Sequence, residues 1–175
     1  MGMSSGRIVP IIMGSHRDYG FAKGIGDKLD EFDVPNAYRV ASGEKHTGLL
    51  LKIMGEYENE KALIFNDQIV YVTVAGRSNK LSGIVAGNTT YPVIAAPPDG
   101  DKTALQMDIW SSVRSPSESP VVTVLGAGNA ALAAVRVFSL TDGKLRKRLE
   151  RYCEEVRKGI EEQDEKFRNG EFPDV

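Results

Sequence analysis

Three short polar turns carry the residues best suited to chemistry. In Gly14-Ser15-His16-Arg17-Asp18, a glycine permits a tight turn, and free N–H groups of a following helix suit a phosphate. Ser15 is placed to donate to phosphate oxygens and Asp18 to accept from ribose hydroxyls; the plainer alternative is that either is an ordinary helix cap. In Gly76-Arg77-Ser78-Asn79, Arg77 offers a forked contact to an anion. Ser78 and Asn79 suit a small polar substrate, against the alternative of a cap beside a surface arginine. In Ser42-Gly43-Glu44-Lys45-His46-Thr47, a carboxylate, an ammonium and an imidazole stand together, the makings of an acid–base cluster or simply a hydrophilic turn. A fourth turn, Gly126-Ala127-Gly128-Asn129, is a lone Gly-x-Gly, and none of the four is a Walker loop or a dinucleotide fingerprint.

The elements that must position these turns alternate between strand and helix. Residues 7–13 form a short apolar run without alternation, which predicts a strand covered on both faces, although Pro10 is unusual there. Phe21, Ile25, Leu29 and Phe32 recur at helical spacing, and Val34-Pro35 ends that helix. Residues 37–41 read as a second strand, followed by a helix marked by Leu49, Leu50, Ile53, Met54 and Tyr57. Residues 69–75 are rich in β-branched residues and form the clearest strand. A short helix over 81–86, strands over 92–96 and 121–125, and an Ala-rich helix over 130–140 complete the core. Such alternation predicts right-handed crossovers and a mostly parallel sheet with helices on both faces. Ligands of such sheets bind at the carboxyl ends of the strands, where the polar turns fall. From 143 onward, Leu145, Leu149, Tyr152, Val156 and Ile160 form one stripe amid dense mixed charge. They predict a long amphipathic helix that packs on its own domain or on a neighbouring subunit.

Composition narrows the class. At 175 residues and 41% apolar, the chain suits one domain with one core, a core of 7–142 and a helical extension over 143–175. Lys+Arg 22 against Asp+Glu 24 leaves a net charge of −2, which favours neither nucleic acid nor an acidic membrane. A single cysteine, Cys153, excludes an internal disulfide framework, and two histidines make a multi-histidine metal site improbable. No apolar run approaches a membrane span, and no signal-peptide pattern opens the sequence. A soluble cytoplasmic protein is expected. Trp110 is expected to pack, and Cys153 to sit on a helix at a surface or interface.

The order of the motifs resembles a known family. Met13-Gly14-Ser15-x-x-Asp18, Ser42-x-x-Lys45, Ala75-Gly76-Arg77-Ser78-Asn79, residues 108–117 (Asp-Ile-Trp-Ser-Ser-Val-Arg-Ser-Pro-Ser) and Asn129-Ala130-Ala131 look like the phosphoribosylaminoimidazole carboxylases of purine biosynthesis. Ala-Gly-Arg-Ser-Asn with Gly87-Asn88-Thr89-Thr90-Tyr91-Pro92-Val93-Ile94 is similar to the class that uses carbon dioxide directly. The resemblance covers about residues 7–140. It implies a three-layer α/β sandwich with a central parallel sheet, flavodoxin-like or Rossmann-like, assembled as a homo-octamer. It also implies aminoimidazole ribonucleotide and carbon dioxide as substrates, and no metal or organic cofactor. By that likeness Ser15 and Asp18 hold phosphate and ribose, Arg77 faces the phosphate, and Lys45 and Ser78 place carbon dioxide or the new carboxylate. Gly14, Ser42, Gly76, Asn79 and Leu81 complete the expected substrate-binding set.

The sequence departs from this family at one position. The family pattern Ser-Ala-His followed by Lys or Arg is here Ser42-Gly43-Glu44-Lys45, in a match without gaps from Arg39-Val40 to Glu56-Tyr57-Glu58. Glu44 stands where the catalytic histidine is expected, and His46 comes two positions late. Three readings stay open on sequence alone: Glu44 is the base, with its pKa raised by the pocket; His46 reaches in; or the activity is altered or lost, leaving a decarboxylase, a related imidazole-ribonucleotide activity or a nucleotide binder. A flavin-binding protein of the same topology is a further rival. A five-residue expansion near 60–68 is expected to lengthen a surface loop.

Overall fold

The computed structural model describes residues 6–59, 67–77, 80–98 and 102–172. Ser78, Asn79 and most of the expansion near 60–68 lie outside them. In chain order the elements are β1 (Arg7–Met13), a 3-10 turn (His16–Asp18), α1 (Tyr19–Asp30), β2 (Asn36–Val40), α2 (Thr47–Glu58), β3 (Gln68–Ile69), β4 (Tyr71–Val74), α3 (Lys80–Ala86), β5 (Val93–Ala95), α4 (Lys102–Val113), β6 (Val122–Thr123), α5 (Ala127–Ser139) and α6 (Gly143–Arg168).

All strand pairs are parallel, in the order β2-β1-β4-β5-β6, with β3 also on β1. β3 and β4 are one strand in register, since Ile8 faces Ile69 and Ile11 faces Val72 at the same offset. The interruption at Val70 follows from Pro10. The Gly14 N–H donates to the Val74 carbonyl across this edge, and two pairs back along the ladder Pro10 has no N–H for the Val70 carbonyl. With β3 and β4 counted as one, the order is the doubly wound 2-1-3-4-5 of flavodoxin-like folds.

Both faces of the sheet are apolar, as strands covered on two sides require. Val9, Ile11 and Met13 join Val72 and Val74 against Ala22, Ile25 and Leu29 of α1 and Ala130, Ala134 and Phe138 of α5. On the other face Ile12 and Tyr71 meet Leu50, Ile53 and Met54 of α2 and Leu81 and Val85 of α3. Each fully buried Ile or Leu contributes about 1.5–3 kcal/mol relative to exposure. Three layers result, as expected from the sequence.

The long helix begins on an Asp142 cap, whose carboxylate accepts from the N–H groups of Lys144 (2.8 Å) and Leu145 (3.0 Å). Arg7 also pairs with Asp142, which ties the start of α6 to β1. Leu145 and Leu149 are buried in the α1–α5 layer, whereas Val156 and Ile160, farther along the same stripe, are exposed. Cys153 is half-buried on this helix. Residues 102–113 form a helix not expected from the sequence, since it lacks a single apolar stripe and gives no periodic signal. One expectation needs correction. Trp110 does not pack within the protomer but is 64% exposed on that helix.

Candidate functional site

β1 connects to β2 through α1 on one face of the sheet, and β4 connects to β5 through α3 on the other, so the chain leaves β1 in one direction and β4 in the opposite direction. This switch opens a crevice at the carboxyl ends of β1 and β4. Gly14 closes its floor: its N–H donates to Val74 O at 2.8 Å, and a Cβ there would meet the Ala75 Cβ at 3.3 Å. The first polar turn therefore touches the end of β4, from which the third turn leaves. The second joins them from β2. Ala41 N–H donates to Met13 O, and Gly43 packs so close to α3 that a Cβ would lie 3.2 Å from Leu81 Cα. A side chain there would need α3 to give by a few tenths of an ångström. Gly14, Ser42, Gly76 and Leu81 thus share one rim.

The local bonds show how each turn is held. Ser15 and Asp18 form a reciprocal capping box: Ser15 Oγ accepts from Arg17 N–H (3.2 Å), and Asp18 Oδ2 accepts from Ser15 N–H (3.1 Å). Burial pushes the Asp18 carboxyl up, opposed by the Ser15 N–H and the nearby His16. In this cap Ser15 Oγ acts only as an acceptor, which leaves its O–H available to donate.

In the second turn Ser42 Oγ accepts from Lys45 N–H (3.1 Å), and Thr47 Oγ1 donates to Gly43 O (2.5 Å). His46 caps α2, its Nδ1 accepting from Leu49 N–H at 3.1 Å. That bond requires a bare Nδ1 and leaves the proton of a neutral ring on Nε2. Glu44 is exposed and pairs with Lys80 at 2.6 Å, at the start of α3. The hydrogen bond from Lys80, then its charge, hold the Glu44 carboxyl below the usual range. The shift runs opposite to the expected rise, because this carboxyl faces solvent and a cation rather than an apolar pocket.

In the third turn Arg77 is exposed and has a left-handed backbone, φ 60°, which costs a residue with a side chain roughly 1–2 kcal/mol. Ser78 and Asn79, expected to act here, lie outside the described residues. The fourth turn starts α5, with Gly126 at φ 82°, a conformation that suits glycine, and Asn129 Nδ2 donating to Leu125 O. Sequence reasoning missed the partners of these turns, Lys80 beside Glu44 and Asp108 beside Arg77. Lys80 adjoins a quoted motif, but nothing in its type marks it.

Not every quoted motif belongs to the rim. Thr89 Oγ1 and Tyr71 OH both donate to Glu58 Oε1, at 2.9 and 2.6 Å. Tyr71 opens β4, so this network lies at the amino end of the sheet, opposite the crevice. Burial first, then the Glu58 contact, drive the Tyr71 hydroxyl far above its usual pKa, and it stays protonated. Among the described residues no group of three or more His, Cys, Asp or Glu side chains is arranged to hold a metal, and no helix is long and apolar enough to cross a membrane.

The model of one protein family, AIR carboxylase, matches residues 8–159. The chain belongs to the AIR carboxylase family. It is 44% identical over 158 residues to a phosphoribosylaminoimidazole carboxylase of Archaeoglobus fulgidus, covering 90% of this chain and 83% of that one. It is 38% identical over 161 residues to the phosphoribosylaminoimidazole carboxylase of Treponema denticola, covering 92% and 98%. The crystal structure of Treponema denticola PurE superposes with a TM-score of 0.84 at 38% identity, over 91% of this chain and 98% of that one. The matched range spans all four polar turns and most of α6. The flavin rival loses its ground, since the shared topology is accounted for.

Proposed function

We propose that the crevice at the carboxyl ends of β1 and β4 binds 5-aminoimidazole ribonucleotide and that Glu44 serves there as the proton acceptor. The chain is a carboxy-lyase of purine biosynthesis: it joins carbon dioxide to 5-aminoimidazole ribonucleotide, giving the 4-carboxy product, and the same site runs the reverse decarboxylation. The convergence of the three polar turns on one rim carries this reading of the site.

The chemistry assigns each group a task. The amino-imidazole is an electron-rich enamine, and its ring carbon attacks carbon dioxide. Carbon dioxide is neutral, so the pocket must hold it by orientation. Negative charge then grows on its oxygens, where Lys45 and the hydroxyl of Ser78 stabilise it. Glu44 removes the ring proton and restores aromaticity. Its lowered pKa keeps it ionised at neutral pH, and His46 is engaged as a cap. Ser15 and Arg77 face the phosphate, Asp18 the ribose, and Gly14, Ser42, Gly76 and Leu81 shape the walls, with Asn79 completing the binding set. The direct carbon dioxide-using class is favoured by Ala75-Gly76-Arg77-Ser78-Asn79.

The test follows the ultraviolet absorbance of the 4-carboxy ribonucleotide as it loses carbon dioxide, in wild type, Glu44→Gln and His46→Asn. Glu44→Gln should fall by roughly 10²–10⁴-fold, the size of a lost general base, while His46→Asn keeps most activity because asparagine also caps. Equal turnover in all three overturns the assignment of the base. Binding without turnover in wild type favours a nucleotide-binding protein instead.

The protein acts as a homo-octamer in this reading. Trp110 and Val113 of α4 and Val122 of β6 are each at least half exposed, and Thr123 Oγ1 bonds to Ser112 O, so these elements adjoin. A cluster of exposed apolar side chains beside an edge strand suits a subunit contact.

A further inference from the structure

Arg77 is held in its strained conformation by two side chains one turn apart on α4. Asp108 Oδ2 accepts from the Arg77 N–H at 2.6 Å. Ser111 Oγ shares its hydrogen between the Arg77 carbonyl at 3.0 Å and the Asp108 carbonyl at 2.7 Å. A Cβ on Gly76 would meet Asp108 Oδ2 at 3.7 Å, so the carboxylate sits directly over this turn. Both backbone polar groups of one left-handed residue are thus gripped by one helix turn.

We propose that Asp108 and Ser111 are positioning residues for substrate binding: they lock the Arg77 backbone at positive φ and thereby set where its guanidinium stands at the rim. The inference rests on the reading of Arg77 as the contact to the ribonucleotide phosphate. Without these bonds a non-glycine residue relaxes to negative φ, which redirects its Cα–Cβ bond and carries the guanidinium away. Strain of this kind persists only where the surroundings over-determine it, and it gathers at ligand sites. The charge of Asp108 argues the same way. An anion beside a phosphate site weakens binding by repulsion, so its presence is explained by the backbone N–H it accepts rather than by direct contact with substrate. The Asp-x-x-Ser spacing then has a physical basis, since residues three apart share one helix face.

The test measures KM and kcat for the ribonucleotide in Arg77→Ala, Asp108→Ala, Asp108→Asn, Ser111→Ala and the Arg77→Ala/Asp108→Ala double variant. Lost alignment of a binding group raises KM with kcat nearly unchanged. Asp108→Ala should raise KM roughly 10- to 100-fold. Asp108→Asn should stay near wild type, because its amide oxygen still accepts the N–H. The double variant should be no worse than Arg77→Ala, since the positioned group is already gone. If Arg77→Ala raises KM while Asp108→Ala does not, or if the Asp108→Ala effect persists in full without the Arg77 side chain, the positioning role is wrong and the site survives. An unchanged KM in Arg77→Ala overturns the phosphate contact itself. Should Asp108→Ala not fold, Ser111→Ala decides: a raised KM that vanishes in the Arg77→Ala background supports the proposal, and an unchanged KM overturns it.

Discussion

Single residues explain both what the sequence reveals here and what it hides. Gly14, Ser15, Ser42, Gly76 and Arg77 could be picked out by type and position because strand ends followed by small or polar residues are where such sheets bind ligands. Their closeness could not: that Gly43 lies tight against the Leu81 backbone depends on how α3 packs. The positive φ of Arg77 was equally invisible, since arginine carries no mark of it. His46 read as a candidate base, yet its ring nitrogen caps α2. Glu44 is governed by Lys80, a partner 36 positions on, as the residue numbers show. A base must be deprotonated to act, and a carboxyl lowered by Lys80 keeps its base form to lower pH. Lys80→Met removes the cause, so the Glu44 carboxyl rises toward its ordinary value and the acid limb of kcat/KM moves to higher pH. A pH profile of the variant checks this; an acid limb that overlays the wild-type one would separate Glu44 from the rate.

Elements were legible where burial is periodic. β1, α1, α2 and α5 follow from apolar runs and stripes facing the two cores. The strand over 69–75 is split at Val70 for a reason that lies on its neighbour, the missing N–H of Pro10, which no reading of residues 69–75 alone could supply. α4 escaped notice because its visible sequence mixes Ser, Asp, Trp and Ile around the helix instead of along one side. That same polar character gives it Asp108 and Ser111, the residues that grip Arg77. Where a helix serves a neighbouring turn rather than a core, the hydrophobic period is the wrong signal to seek.

At the scale of the molecule, an open rim and an exposed apolar flank belong together. Glu44, Lys45, His46 and Arg77 are all exposed in one protomer, so the proposed site needs substrate or a neighbouring copy to exclude water. Trp110, at 64% exposure, is the largest side chain on the flank proposed to meet a neighbour. Light scattering should give the mass of eight chains for wild type, and Trp110→Glu should yield smaller species by placing a charge in an apolar contact. An unchanged mass in the variant would remove α4 from the interface. The family could be named from the order of the turns over about residues 7–140, because five motifs in sequence constrain far more than any one of them. The assembly could not be derived from composition, since isolated exposed apolar residues are common on any surface.

The most direct measurement of the central claim is a crystal structure with the 4-carboxy ribonucleotide bound. The phosphate should lie within hydrogen-bonding distance of Ser15 Oγ and the Arg77 guanidinium, with the imidazole carboxylate turned toward Glu44 and Lys45. A ligand seated instead in the depression between α1 and α6, lined by Phe32, Arg148 and Tyr152, or bound with Arg77 turned away from it, would contradict a single site at the ends of β1 and β4.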